Sequence, residues 1–376
     1  MRKCVRAVSM RAATVVLAVG IQFGVAPVAA TAQSRPAGAA PVFKVDPYWP
    51  KQLPNNWILG PVSGISIDSR NHVWIVQRPS ELAPDERGAA ANPPTSECCM
   101  PAPPVIEFDQ EGNVVQAWGG PGAGYEWPFR EHGLFVDDKN NVWLSSAGDK
   151  DAQVLKFTSA GKFLLQIGKH GVTLGSNDKE TLGKPTSIAV DTRANEVFVA
   201  DGEGNHRVVV FDAETGAYKR HWGAYGKPPD DAAVVKYDPN KPPPAQFGNV
   251  AVHCVRLSKD GLVYVCDRVN DRIQVFRRDG TFVKEVIIAK NTLGLGSVWD
   301  VNLSPDEQFL YVADGVNKKV WILNRESLEI VGSFGHGGRN AGQFYWVQAL
   351  AVDTAGSIYT SEVSEGKRIQ KFVRVP

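Results

Sequence analysis

One phrase recurs six times and restricts the fold of this chain more than any other feature. A short apolar strand ends in Asp or Ser, a polar turn follows, and an aromatic-bearing strand begins. The copies run Gly64-Ile-Ser-Ile-Asp68 to Trp74, Gly133-Leu-Phe-Val-Asp137 to Trp143, and Ser187-Ile-Ala-Val-Asp191 to Phe198. They continue as Cys254-Val-Arg-Leu-Ser258 to Tyr264, Asp300-Val-Asn-Leu-Ser304 to Tyr311, and Ala349-Leu-Ala-Val-Asp353 to Tyr359. A second phrase follows most copies, as in Asn205-His-Arg207-Val-Val-Val-Phe211, Asp271-Arg272-Ile-Gln-Val-Phe276 and Lys319-Val-Trp-Ile-Leu323. A turn such as Arg278-Asp279-Gly280 and a further apolar strand close each unit. Alternating apolar strands punctuated by Gly, Asp and Asn, with no sustained helical period, give four strands per unit. Six such units predict an all-β, six-bladed β-propeller of four-stranded antiparallel blades. The sixth copy stops after its third strand, Arg368-Ile-Gln-Lys-Phe372, and the spare strand is Pro41-Val-Phe-Lys-Val45 at the other terminus. Adding it to the last blade closes the ring and removes open sheet edges. In a radial stack each blade buries its faces on its neighbours, so 42–376 needs no single large core.

The segment ahead of the propeller reads differently. Residues 1–11 are basic, Ala12 to Val28 is apolar apart from Thr14 and Gln22, and Ala30-Thr31-Ala32 is a small-x-small cleavage site. This is the pattern of a secretory signal peptide over 1–32, with a linker over 33–41. The apolar run is short and broken by Pro27, below the ~20 residues of a membrane span. The expected mature protein is periplasmic or secreted, with no stable membrane insertion after signal removal. Arg2, Lys3, Arg6 and Arg11 belong to this segment. Without them 37 of the 41 basic residues face 40 acidic ones, and that balance argues against a nucleic-acid partner. Four cysteines remain. Cys254 and Cys266 are symmetric about Asp260 in a hairpin, placing them opposite each other as a disulfide or as two buried thiols. For the adjacent Cys98 and Cys99, free thiols, a metal contact and pairing elsewhere all stand beside a strained vicinal disulfide.

Strand order locates a site. The turns between first and second strands, and between third and fourth, are short. The long insertions, 79–104, 119–131, 169–184 and 224–246, all fall on the other rim, and long loops on one face of a rigid scaffold mark a functional rim. Five residues before each Asp or Ser, at that rim, stand Ser63, His132, Thr186, His253, Trp299 and Gln348. Innermost strands surround the axis, so these side chains converge. His132, His253 and Gln348 occupy alternate blades, the arrangement that offers three ligands to one Zn(2+) or other divalent transition metal with an open position. Two hydrogen-bonded channel histidines without a metal is the plainer alternative. Arg78, Asp201-Gly-Glu203 and Asp267-Arg268 end second strands on the same rim, and arginines there suit a carboxylate through paired hydrogen bonds. Asp201, Asp267 and Asp314 read as turn caps, and Arg207, Arg272 and Arg368 as repeat residues.

The repeats resemble the NHL family over about 42–376. The rim is similar to that of the peptidyl-α-hydroxyglycine α-amidating lyases, which cleave a hydroxyglycine-extended peptide to a peptide amide and glyoxylate. The resemblance implies a zinc held by three histidines that open alternate innermost strands. Glu131-His132-Gly and Val252-His253-Cys match two of these; the third falls on Gln348. It also implies that the family's two active-site arginines fall on Arg78 and Arg268, its essential tyrosine on Glu203, and a calcium-ligating Asp on Ala349. Glu203 then serves as the replacement base or as an oxygen ligand.

The leading reading is therefore an exported, metal-assisted lyase or hydrolase acting on a small carboxylate or peptide terminus. Arg78, Arg268 and Glu203 are its catalytic candidates, and His132, His253 and Gln348 its metal candidates. The alternative is a non-catalytic propeller binding a protein or small ligand on the same rim through Tyr125-Glu-Trp127 and Lys241-Pro-Pro-Pro244. A calcium lactonase would want central Glu, Asn and Asp, which this ring lacks. The 79–104 insertion is expected to carry Cys98 and Cys99 over the channel mouth.

Overall fold

The computed structural model describes residues 39–233 and 236–375, together with Met1. The expected signal peptide and the first part of the linker lie outside the described residues. Six four-stranded antiparallel sheets form the blades. Their innermost strands are Val62–Ile67, Glu131–Val136, Pro185–Asp191, Val252–Leu257, Asp300–Leu303 and Val347–Val352. In the sixth blade the outer strand is Val42–Asp46, antiparallel to Arg368–Val375 with Val42 opposite Val375. Phe43 seats this strand against Tyr311 and Phe334 of the fifth blade, with ring centroids 5.6 and 5.1 Å apart.

The repeated phrase has a local physical cause. Asp68 accepts the backbone N–H of Arg70 and of His72, closing the turn, and also accepts the indole N–H of buried Trp74 at 3.2 Å. Asp137 repeats this with Asn141 and Trp143. One carboxylate thus fixes the turn and positions the large side chain that fills the next junction. Asn71 and Asn140 sit at φ +60° in these turns, a conformation that Asn tolerates.

Six apolar clusters hold the ring, each spanning two neighbouring blades. Ile65 and Ile75 of the first blade pack with Tyr359 and Ile369 of the sixth, so the closing junction is built like the others. Cys254 and Cys266 face each other in register and are disulfide-bonded, which settles the open choice at that pair. Cys98 and Cys99 also form a disulfide. Tyr125 and Trp127 pack against Phe157, and Trp127 donates to Glu131. These aromatics are therefore part of a blade junction rather than an open binding surface. No helix among the described residues is long and apolar enough to cross a membrane.

Candidate functional site

Ser63, His132, Thr186, His253, Trp299 and Gln348 all line one central channel and all are buried. Four of them bond to backbone carbonyls in, or directly before, the innermost strand of the next blade. Ser63 Oγ donates to the Glu131 carbonyl (3.0 Å), and His132 Nδ1–H to that of Thr186 (2.8 Å). Thr186 Oγ1 donates to Val252 (2.8 Å), and His253 Nδ1–H to Trp299 (2.5 Å). Propeller closure itself thus fixes both imidazoles with Nδ1 protonated and Nε2 unprotonated, the orienting bond that a metal-ligating histidine needs.

The two rings lie 4.9 Å apart between centroids. Gln348 Nε2 sits 3.5 Å from His132 Nε2 and 3.3 Å from His253 Nε2. Burial holds both histidines well below the usual imidazole range. The neighbouring His253 and Arg78 add to this at His132, and Arg268 at His253. Both imidazoles are therefore neutral at physiological pH.

Glu203 enters from the end of the third blade's second strand, with Oε1 3.9 Å from His132 Nε2 and 3.7 Å from the Arg268 guanidinium. Gly202 brings it there, because a Cβ at that position would collide with Val252. Ligand atoms of His132, Glu203 and His253 lie within 4.8 Å of one another. Around a tetrahedral ion with bonds near 2 Å such atoms stand about 3.3 Å apart, so small side-chain shifts close the gap. Two neutral imidazoles with an oxygen ligand fit a borderline divalent ion such as zinc. A second group, Asp68, His72 and Glu107, does not: Arg70 already bonds both carboxylates.

Arg78 and Arg268 flank the same cavity, whose volume is about 350 Å³. Each is only 3% exposed. Arg78 Nε donates to the Glu131 carbonyl at 2.7 Å, and its nearest carboxylate, Glu81, is 3.7 Å away. Arg268 donates to the Val250 carbonyl at 3.0 Å and stacks over Trp299 at 4.3 Å. Burial lowers both guanidinium pKa values to about 10, leaving both charged at neutral pH.

All six candidate residues thus meet in one place. Sequence reasoning missed Glu81, Arg130, Val250, Leu295 and Trp346, which line the same cavity from non-repeating loops. Arg130 donates to Glu81 at 2.7 Å across the mouth. Its position two residues before His132 was the available signal. From the 79–104 insertion only Glu81 lines the cavity. Cys98 and Cys99, expected over the channel mouth, do not line the cavity; next to them Met100–Pro101 pairs with Trp57–Ile58.

Comparison with known proteins agrees with this architecture. The NHL repeat model matches residues 182–211. Peptidyl-alpha-hydroxyglycine alpha-amidating lyase 1 of Drosophila melanogaster is 27% identical over 344 residues, covering 86% of this chain and 58% of the relative. Peptidyl-glycine alpha-amidating monooxygenase B of Xenopus laevis is 25% identical over 334 residues, and the match spans only 34% of its length. NHL repeat-containing protein 3 of Mus musculus is 25% identical over 365 residues, covering 89% of this chain and 84% of the relative. A streptogramin B lyase structure shares the fold at 13% identity and a TM-score of 0.54, over 89% of this chain and 98% of that one. The chain is thus a six-bladed propeller carrying an NHL repeat and similar, at low identity, to amidating lyases and to NHL repeat-containing proteins.

Proposed function

We propose that the protein is an exported amidating-lyase-like propeller, a metal-assisted lyase or hydrolase that acts on a small carboxylate or a peptide terminus at the channel mouth. The observation that carries this reading is the pairing of two oriented, neutral imidazole Nε2 atoms with two buried arginines whose nearest carboxylates stand at 3.7 Å, beyond hydrogen-bond distance. His132 and His253 would hold a divalent transition ion, with Gln348 turning its amide carbonyl toward the same point. When bound, the ion supplies Lewis acidity toward a ligand oxygen.

The chain's own groups do the rest. Arg78 and Arg268 bind the ligand's carboxylate by charge-assisted hydrogen bonds and orient it over the imidazoles. Glu203 accepts a proton at Oε1, the cavity carboxylate oxygen within 4 Å of both His132 and Arg268. On a hydroxyglycine-extended peptide, loss of the hydroxyl proton forms the C=O bond. The C–N bond breaks and the released amide nitrogen takes a proton.

A second reading, a non-catalytic binding propeller, is favoured by one observation. Gln348 Nε2 reaches both Nε2 lone pairs and satisfies them without an ion. One experiment separates the two. Mature protein is dialysed against zinc, its metal content measured, and glyoxylate release assayed from a peptide ending in α-hydroxyglycine. About one zinc per chain with zinc-dependent glyoxylate release is expected. Neither uptake nor release would leave the binding propeller.

A further inference from the structure

The cavity that holds Arg78 and Arg268 carries a third guanidinium. Arg78, Arg130 and Arg268 line it together with two carboxylates, Glu81 and Glu203. With both imidazoles neutral, three cations against two anions leave an excess of positive charge. Lys318, with Nζ 3.8 Å above the Trp346 ring, adds a further cation at the edge.

Arg130 is fixed at its backbone and open at its head. Its N–H donates to buried Asp151 at 2.9 Å, and its carbonyl accepts the Ala147 N–H at 3.0 Å. After burial, its charge is among the causes that lower the pKa of Arg78, Arg268 and His132, so the guanidinium lies within electrostatic reach of all three. The protein uses only its Nε, in the bond to Glu81; neither terminal nitrogen has a hydrogen-bond partner among the described residues. Glu81 Oε1 is shared, 2.7 Å from Arg130 Nε and 3.7 Å from the Arg78 guanidinium. One carboxylate oxygen between two arginines stands where an anionic group of a ligand would sit. Glu81 can vacate that place: its side chain is 35% exposed and rides on the single turn Pro79–Glu81.

We propose that Arg130 forms a second anionic subsite, which selects a ligand bearing another carboxylate beside the one held by Arg78 and Arg268, and that Glu81 is the internal carboxylate this group displaces. The substrate class is thereby a small dianion, such as a peptide terminus whose penultimate residue is Asp or Glu. This rests on the carboxylate-binding role given above to Arg78 and Arg268. The exchange favours the ligand for two reasons. Arg130 offers it the fork of unused N–H groups, whereas Glu81 takes Nε alone. Glu81, once displaced, regains water.

The test is calorimetric titration of the mature protein with N-acetyl-glutamyl-glycine, its uncharged isostere N-acetyl-glutaminyl-glycine, and N-acetyl-lysyl-glycine. The glutamyl peptide should bind at least about fivefold tighter than the glutaminyl one, the gain expected of a charge-assisted hydrogen bond at a half-exposed arginine. The lysyl peptide should bind weakest. In Arg130→Gln the ratio of the first two should fall toward one, with the affinity for the glutaminyl peptide unchanged. Glu81→Gln, which removes the competing carboxylate, should tighten the glutamyl peptide further; no gain there would overturn the displacement. Equal affinities for the glutamyl and glutaminyl peptides, or a ratio that survives Arg130→Gln, overturns the second subsite and leaves the carboxylate reading standing. Failure of every peptide to bind overturns both.

Discussion

Arg268 and Arg272 lie four residues apart, the first in the turn after Leu262–Asp267 and the second opening the strand Arg272–Arg277; both are buried, and they live in opposite electrostatic conditions. Arg272 Nε donates to Asp267 at 2.6 Å, and its other nitrogens reach the Tyr225 hydroxyl and the carbonyls of Pro244 and Gln246 at 2.8–2.9 Å. Burial alone would lower its pKa; Asp267, Tyr225 and Glu285 outweigh that and raise it. Arg268 has no hydrogen-bond partner at Nε, its nearest carboxylate is 3.7 Å away, and burial lowers its pKa to about 10. Arg207 and Arg368 follow the first pattern, pinning the 169–184 and 335–346 loops through backbone carbonyls. Arg78 follows the second. A buried cation saturated by protein groups builds the rim. A buried cation left short of partners beside a cavity is, on the function proposed above, there for a ligand.

The comparison breaks first if the two classes respond alike to truncation. Arg207→Ala removes a fully buried partner of Asp201 and orphans the Ser176 and Thr181 carbonyls. Leaving a buried carboxylate unpaired costs about 3–5 kcal/mol, read as a large loss in denaturant midpoint. Arg268→Ala removes a half-satisfied charge, so stability should stay within about 1 kcal/mol. Binding of N-acetylglycine should instead weaken about 30- to 100-fold, the loss of roughly 2–3 kcal/mol of charge-assisted hydrogen bonding. Similar midpoints for the two variants would dissolve the distinction.

The architectural class was legible in the sequence because it repeats. Asp68, Asp137 and Asp353 recur before a turn and an aromatic, so strand order, rim and ring position followed by counting. His132 and His253 were found by position alone. Their Nδ1 partners were not, because the bonding carbonyls belong to Thr186 and Trp299 of the next blade, a relation between units that no single unit encodes. Val250, Leu295 and Arg130 sit in loops that differ from blade to blade, so no period points to them. Tyr125 and Trp127 were misread as a surface because Phe157 and Phe163, which cover them, lie more than 29 residues onward. The symmetry about Asp260 gave the facing of Cys254 and Cys266 but carries no information on oxidation.

Gln348→His sharpens the comparison from the metal side. A third imidazole at this position would stand where Gln348 Nε2 now lies between the two Nε2 atoms. Zinc prefers nitrogen to an amide oxygen, and three histidines are a common catalytic set. Zinc affinity should rise at least about tenfold, ~1.4 kcal/mol, by competition with a chelator of known strength. No gain would mean that the imidazoles do not share an ion.

The smallest effect extends the comparison to carboxylates. Asp267 is matched by Arg272, but Asp271, also fully buried, accepts the Ser297 N–H on Oδ1 and has no partner on Oδ2. Burial pushes its pKa from 3.8 up to about 7, with nearby Asp314 adding to the rise. A carboxyl raised in the folded state contributes its full stability below the unfolded value. It loses that contribution as pH rises toward about 7, because the unfolded chain ionises first. Asn cannot ionise, keeps an oxygen for Ser297, and suits the φ of +53° found at this position. Its new N–H donors arrive where Oδ2 has no acceptor, which offsets part of the gain. Asp271→Asn should therefore stabilise the protein by about 1 kcal/mol at pH 8 and not at pH 4, flattening the slope of unfolding free energy between them. Equal pH slopes for wild type and variant would show that Asp271 is already ionised in the fold, and the contrast with Asp267 would disappear.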